Sequence, residues 1–173
     1  MLAVTLVGQE TDEWCWAASA QMTVGYAGAS VRQCEQANAS FNRTDCCTAP
    51  NSRNCRRPGW PEYGRLGFKA KTTDWYKYLS FDKIKAEIDA GRPINFAWEW
   101  TKDEEGGHMM VLSGYSEGLG LKMVQVHNPW PVRKGAIKWL AYDEFISSDT
   151  YKHFRDYYEI MRASTPVASG TAR

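Results

Sequence analysis

The chain has 173 residues, 43% of them apolar and 24% charged, with a formal net charge of +1. That length fits one domain with a sizeable core, and the composition is ordinary for a globular protein. The small net charge points to neither nucleic acid nor an anionic membrane as partner. No apolar run is long enough to cross a bilayer.

The opening stretch Met1–Val7 is too short for a signal peptide and lacks a basic start. The first chemical motif begins at Gln9. The chain therefore reads either as a cytosolic product or, more attractively, as a mature or excised domain.

Residues 12–28 read as a helix capped by Asp12, with Trp16, Ala17, Ala20 and Val24 on one apolar face. Few charges surround Cys15, so this helix is expected to be central and buried. Ser30-Val31-Arg32-Gln33 is a capping-box pattern that opens a second, short helix. Residues 40–75 are rich in Asn, Arg, Pro, Gly and Cys and read as a long loop with a helical turn near Glu62–Leu66. A loop of that length needs a tether or a function. Residues 80–90 read as a helix capped by Ser80, with Leu79 and Ile84 as a hydrophobic staple and Gly91 and Pro93 as its stop.

The pattern then changes to strands: Pro93–Trp100, His108–Tyr115, Leu121–Asn128, Ala136–Leu140 and Phe154–Met161. Residues 164–173 are small and polar and read as a flexible tail, leaving 1–163 as the domain. Helices come first and strands follow. That segregation predicts an α+β fold rather than a doubly wound α/β one.

Five cysteines leave one unpaired. Cys34, Cys46, Cys47 and Cys55 cluster, and Cys15 stands apart. The cluster can pair as 34–46 with 47–55 or as 34–47 with 46–55, or stay reduced. A zinc site is the rival, but the spacing lacks the usual knuckle. Disulfides imply an oxidising destination.

Cys15 at the start of a helix is well placed to be a nucleophile, since the helix dipole and free backbone N–H groups lower a thiol's pKa. Its base must be one of three histidines. His108 opens an apolar strand, His127 ends the next one, and His153 lies in a polar, aromatic stretch that reads as surface. A hairpin with loop Ser116–Gly120, symmetric about Gly118, sets residue 108 opposite 128 and 115 opposite 121. His127 then points to the other face. The Asn128 amide oxygen can hold the His108 imidazole in one tautomer, aimed at the thiol. The Cys15 backbone N–H and the Gln9 side-chain amide are candidate donors to an oxyanion. This set calls for no metal and no cofactor.

Gln9-x5-Cys15-Trp16, a distant His108 and Asn128-Pro129-Trp130 resemble the papain-like cysteine peptidases, in their order of Gln, Cys, His and Asn. The resemblance implies a helical half packed on an antiparallel sheet half, with the active site between them. It also implies that Trp130 shields the His108–Asn128 bond from water. The larger plant and lysosomal members carry Cys-Gly-Ser/Ala-Cys-Trp at the nucleophile, with His and Asn roughly 130–150 residues downstream. Here Asp12-Glu13-Trp14 precedes Cys15 and the intervals are shorter. Trp14–Ala18, Gly91-Arg92-Pro93, Gly107-His108 through Gly114-Tyr115, and Asn128-Pro129 look like the compact bacterial branch: the AvrRpt2-type effector peptidases and the C39-like peptidases. Many C39-like members have Asp where this chain has Asn128. The resemblance covers residues 9–131.

The implied function is a cysteine endopeptidase that cleaves a protein or peptide through a thiol acyl-enzyme. As a bacterial effector or toxin it would act outside the producing cell and have a cognate inhibitor or immunity protein. The alternatives are an amidase, deamidase or transglutaminase-type acyl transferase using the same residues, and a non-catalytic binding module. Residues 56–75 are expected to form one wall of the substrate groove, and Trp98, Glu99 and Trp100 to contribute to another.

Overall fold

The computed structural model describes residues 1–101 and 106–163. The tail expected at 164–173 lies outside the described residues. The helices are α1 (Cys15–Tyr26), α2 (Gln33–Phe41), α3 (Phe81–Asp89) and α4 (Tyr142–Ile146). The strands are β1 (Phe68–Thr72), β2 (Ile94–Trp100), β3 (Gly107–Gly118), β4 (Leu121–Asn128), β5 (Ala136–Ala141) and β6 (Tyr151–Arg162). They form one antiparallel sheet in the order β1-β6-β2-β3-β4-β5.

Helices cover both faces of the sheet centre. Residues Ile94–Trp98 of β2 are all buried, as a strand covered on both sides requires. Alternation sends Ala97 and Met109 towards α1, and Phe96, Trp98, Met110 and Leu112 towards α3 and Phe145 of α4. The buried run Trp16–Ala20 of α1 is mostly small, so its backbone lies close to β3. The Ser19 Oγ donates to the Met109 carbonyl at 3.1 Å.

The α3 signals act as their chemistry suggests. Ser80 Oγ accepts the Lys83 N–H at 3.2 Å, and Leu79 and Ile84 share one buried cluster. The inner face of α3 also carries Glu87, which is fully buried. Burial alone would raise its carboxyl. Arg92 at 2.7 and 3.0 Å, Lys83 at 2.9 Å and the Glu159 backbone N–H at 3.0 Å hold it instead at about 2. Arg92 of the Gly91-Arg92-Pro93 turn therefore clamps the helix that precedes it.

Several local expectations change. The loop at 40–75 contains β1, whose alternation is only five residues long and which is a strand because it pairs with β6. The second half contains α4, a short helix that inserts Phe145 into the core. α2 starts at Gln33, later than Ser30 suggests, with the Arg32 N–H donating to Glu35 at 3.2 Å. α1 starts at Cys15 with no side-chain cap, so Asp12 does not cap it.

The β3–β4 hairpin turns tightly at Leu119-Gly120, both at positive φ (51° and 78°), and Gly118 pairs with Leu121. A bulge between Leu112 and Gly114 then shifts the register, so Val111 pairs with His127. The symmetric register about Gly118 does not form. Asn128 stands one step beyond the Val111–His127 pair, diagonal to His108 on the same face.

The buried Glu87 makes stability acid-sensitive. Its folded pKa of about 2 lies below the ordinary 4.5. The stabilisation is therefore complete above about pH 4.5 and is lost as pH falls towards 2, by up to about 3 kcal/mol. Urea unfolding at pH 6 and pH 3 is expected to show this drop in the native chain and a smaller one in Glu87→Gln.

Candidate active site

Cys15 is the first residue of α1, and the start of that helix is seated against β3 by backbone contacts. The Met109 N–H reaches the Cys15 sulfur, as do the first-turn N–H groups of Trp16 and Cys15 itself. Cys15 thus lies beside the residue that follows His108. Cys15 and His108 line one open cleft of about 350 Å³ with Trp16, Gly59, Trp60, Glu99 and Phe154.

His108 is oriented from behind. Its Nε2 lies 2.7 Å from Asn128 Oδ1. Because that oxygen can only accept, Nε2 carries the proton and Nδ1 is left free. Asn128 Oδ1 is held in turn by the Trp130 backbone N–H at 2.8 Å. The diagonal placement of the two residues is close enough for their side chains to meet.

Burial pushes the Cys15 thiol up to about 11, against the backbone N–H groups of Met109 and Trp16, which pull it down. The expected depression by the helix start is present but smaller than the desolvation. Burial also lowers His108; the Asn128 bond opposes this and Lys138 adds to it. At neutral pH the resting cleft therefore holds a neutral thiol and a neutral imidazole.

Gln9 is not in the cleft. It is fully buried, and its Nε2 donates to the Thr11 carbonyl at 2.8 Å and the Asp12 carbonyl at 2.9 Å. With both amide hydrogens engaged, it has none for an oxyanion. Its backbone joins the turn after Asn128 instead: Gln9 N–H donates to Pro129 O at 3.0 Å, and Arg133 N–H to Gln9 O at 2.8 Å. Gln9 thereby ties the segment entering α1 to the segment holding Asn128.

The Trp130 ring is half-exposed, and it is the residue's backbone that serves Asn128. The ring stacked near His108 is Trp100, with centroids 6.3 Å apart and planes 15° apart. His127 is buried on the other face of β4, as the hairpin reading expects. His153 is not on the surface. It is buried beside Asp156 at 3.0 Å, because β6 begins at Tyr151 and alternation turns 153 inward.

The cysteine cluster pairs as Cys34–Cys47 and Cys46–Cys55, and Cys15 is free. Asp45, Cys46 and Cys55 lie close together, but the disulfide takes both sulfurs, leaving no thiolate for a metal. The Cys46–Cys55 bridge packs in the core with Trp14 and Trp16. Trp14 Nε1 donates to Cys55 O at 2.8 Å, and Trp16 Nε1 to Arg57 O at 3.4 Å. Together they deliver Pro58-Gly59-Trp60 to the cleft. A Cβ at Gly59 would lie 2.7 Å from the Trp16 ring, so only glycine fits there. Met109 and Gly59 act through backbone and shape, for which the sequence carries no local signal. A link from the disulfide cluster to the cleft wall was legible only as the expected wall at 56–75.

The model of the Peptidase_C39 like family matches residues 1–165. The chain belongs to this family. No curated protein sequence matches it. A solved chain from a study of antibody cross-reactivity between the mite allergens Blo t 1 and Der p 1 matches with a TM-score of 0.53 and 12% identity, covering 90% of this chain and 67% of that one. Xylellain, a cysteine protease from Xylella fastidiosa, matches with a TM-score of 0.48 and 13% identity, over 93% of this chain and 84% of that one. The fold is α+β and papain-like, and family membership makes this C39-like chain a cysteine protease of the hydrolase class that acts on a protein or peptide. Among the described residues no helix is long and apolar enough to cross a membrane.

Two outcomes follow for this peptidase. The rate of Cys15 alkylation by iodoacetamide, followed by mass spectrometry, is expected to climb through neutral pH towards about 11; a plateau already reached below pH 7 would show a preformed thiolate–imidazolium pair. Replacing Cys46 and Cys55 together by Ser is expected to destabilise the fold by about 2–5 kcal/mol and to raise KM more than it lowers kcat, measured by thermal unfolding and peptide hydrolysis.

Proposed function

We propose that the chain is a cysteine endopeptidase whose nucleophile is Cys15, whose base is His108 and whose orienting residue is Asn128. The observation that carries this reading is the join at β3: Met109 N–H meets the Cys15 sulfur while the preceding His108 is locked by Asn128 at 2.7 Å.

In the reaction, His108 Nδ1 takes the Cys15 proton as sulfur attacks the peptide carbonyl carbon. Negative charge grows on the carbonyl oxygen. The N–H groups of Cys15 and Trp16, which rest against the sulfur, are its donors, because first-turn amides bond no carbonyl within the helix. Collapse breaks the C–N bond, and the leaving amine takes the proton from His108. Water, deprotonated by the same nitrogen, then attacks the thioester and frees the acid and the thiol. Asn128 orients the imidazole throughout without adding a full charge. Gln9 and Trp130 support this set through the Asn128 turn rather than by touching substrate.

The two disulfides fit an oxidising destination, and with it an exported enzyme: an effector or toxin that acts on a protein of another cell, and that a cognate inhibitor neutralises in the producing cell. Mapping of new protein N-termini in exposed cells, native chain against Cys15→Ala, tests this directly. New termini are expected only with the native chain, and their absence would sink the endopeptidase reading. On a cleaved peptide, Cys15→Ala is expected to lose activity by at least about 1,000-fold, and Asn128→Ala by about 10–100-fold, mainly in kcat.

A further inference from the structure

Beyond Cys15 and His108, the cleft is lined by Trp60, Trp98 and Phe154. Trp60 stacks on Phe154 with centroids 5.7 Å apart and planes 22° apart. Trp75 and Tyr76 also pack on Phe154, at 4.9 and 5.2 Å. This aromatic group is left open, with Trp60 43% and Trp75 52% exposed. Part of it already holds a cation: the Arg155 guanidinium lies 3.8 Å from the centre of the Trp75 ring. Its Nε donates to Thr73 O at 3.0 Å. The ring faces of this group are therefore suited to a planar cation.

The charge of the cleft points the same way. Among the described residues that line it, Asp12, Glu13 and Glu99 carry carboxylates and none is Lys or Arg. Asp12 faces Arg56 at 3.5 Å. Glu99, near the end of β2, makes no ion pair among the described residues, although Lys152 stands opposite it on β6. Its Oε1 accepts from the Tyr76 hydroxyl at 3.2 Å. Tyr76 has a φ of 59°, a conformation strained for a side chain of that size. The turn is kept there by the Tyr76 N–H donating to Phe154 O at 2.8 Å. A strained residue thus steers Glu99, leaving its second oxygen available.

We propose that the cleft selects an arginine-bearing substrate, with Glu99 as the carboxylate partner of the guanidinium and Trp60 as its stacking face. This rests on the cleft being the peptidase's substrate groove. Trp60 comes from the disulfide-anchored segment, Glu99 from β2 and Phe154 from β6, so the subsite forms only in the folded chain.

Binding and cleavage are tested apart. Cys15→Ala protein is titrated by calorimetry with otherwise uncharged hexapeptides carrying one arginine at each position in turn, and with the same peptides carrying citrulline, the uncharged isostere. At one position arginine is expected to bind about tenfold more tightly than citrulline. In the Cys15→Ala, Glu99→Gln double variant, which keeps an oxygen for the Tyr76 hydroxyl, that gap is expected to shrink to less than about twofold. Trp60→Ala is expected to narrow it as well. Equal binding of arginine and citrulline at every position, no binding of any arginine peptide, or a full gap in the Glu99→Gln background overturns the proposal. The native chain is then assayed for cleavage of the same peptides. Arginine-selective binding without cleavage keeps the subsite and sinks the peptidase reading; cleavage without arginine selectivity does the reverse.

Discussion

The backbone of Met109 is the joint on which the site depends. Its N–H meets the Cys15 sulfur and its carbonyl accepts from Ser19 at 3.1 Å. One residue of β3 therefore holds the first two turns of α1. The adjacent residue is His108, so seating the helix also brings the thiol and the imidazole to one cleft. Ser19 is buried with its hydroxyl satisfied, and an unmet buried hydroxyl would oppose this packing by about 1–3 kcal/mol. Small side chains at Ala17, Ala18 and Ala20 are what bring the helix near enough.

Two further ties secure the other partners. Gln9 links the entry of α1 to the turn that holds Asn128, through the Pro129 carbonyl and the Arg133 amide. The Cys46–Cys55 bridge, with Trp14 and Trp16, carries Gly59 and Trp60 to the cleft. Asn128 and the cleft wall lie far from Cys15 in the chain, yet each is anchored within a few residues of it. The buried Glu87 clamp stands away from this chemistry and fastens α3 under the sheet.

Burial has opposite consequences for the Cys15 thiol and the His108 imidazole. It raises the thiol and lowers the imidazole, so both favour their neutral forms before substrate arrives. Desolvation of the sulfur thus holds back the thiolate although the cleft itself is open. Lys138 favours the neutral imidazole, while Asn128 favours the charged one.

The sequence by itself determined the fold class and the candidate residues of the site. An unpaired Cys15 at a helix start, three histidines and one Asn after a strand left few combinations, and helices followed by strands pointed to α+β. The helix at 80–90 was legible because its cap, staple and stop are all local. The tertiary structure decided the rest. β1 became a strand through pairing with β6, a contact that no short window contains. The hairpin register depended on a bulge at Leu112–Gly114, which side-chain pattern does not encode; His108 still reached Asn128 because a diagonal pair lies within side-chain reach. Gln9 looked like an oxyanion donor by spacing, but the surrounding carbonyls took its hydrogens. His153 looked like surface in a polar stretch and became core when the sheet folded around it. Sequence pattern records what neighbours along the chain require, while these outcomes were set by neighbours across it.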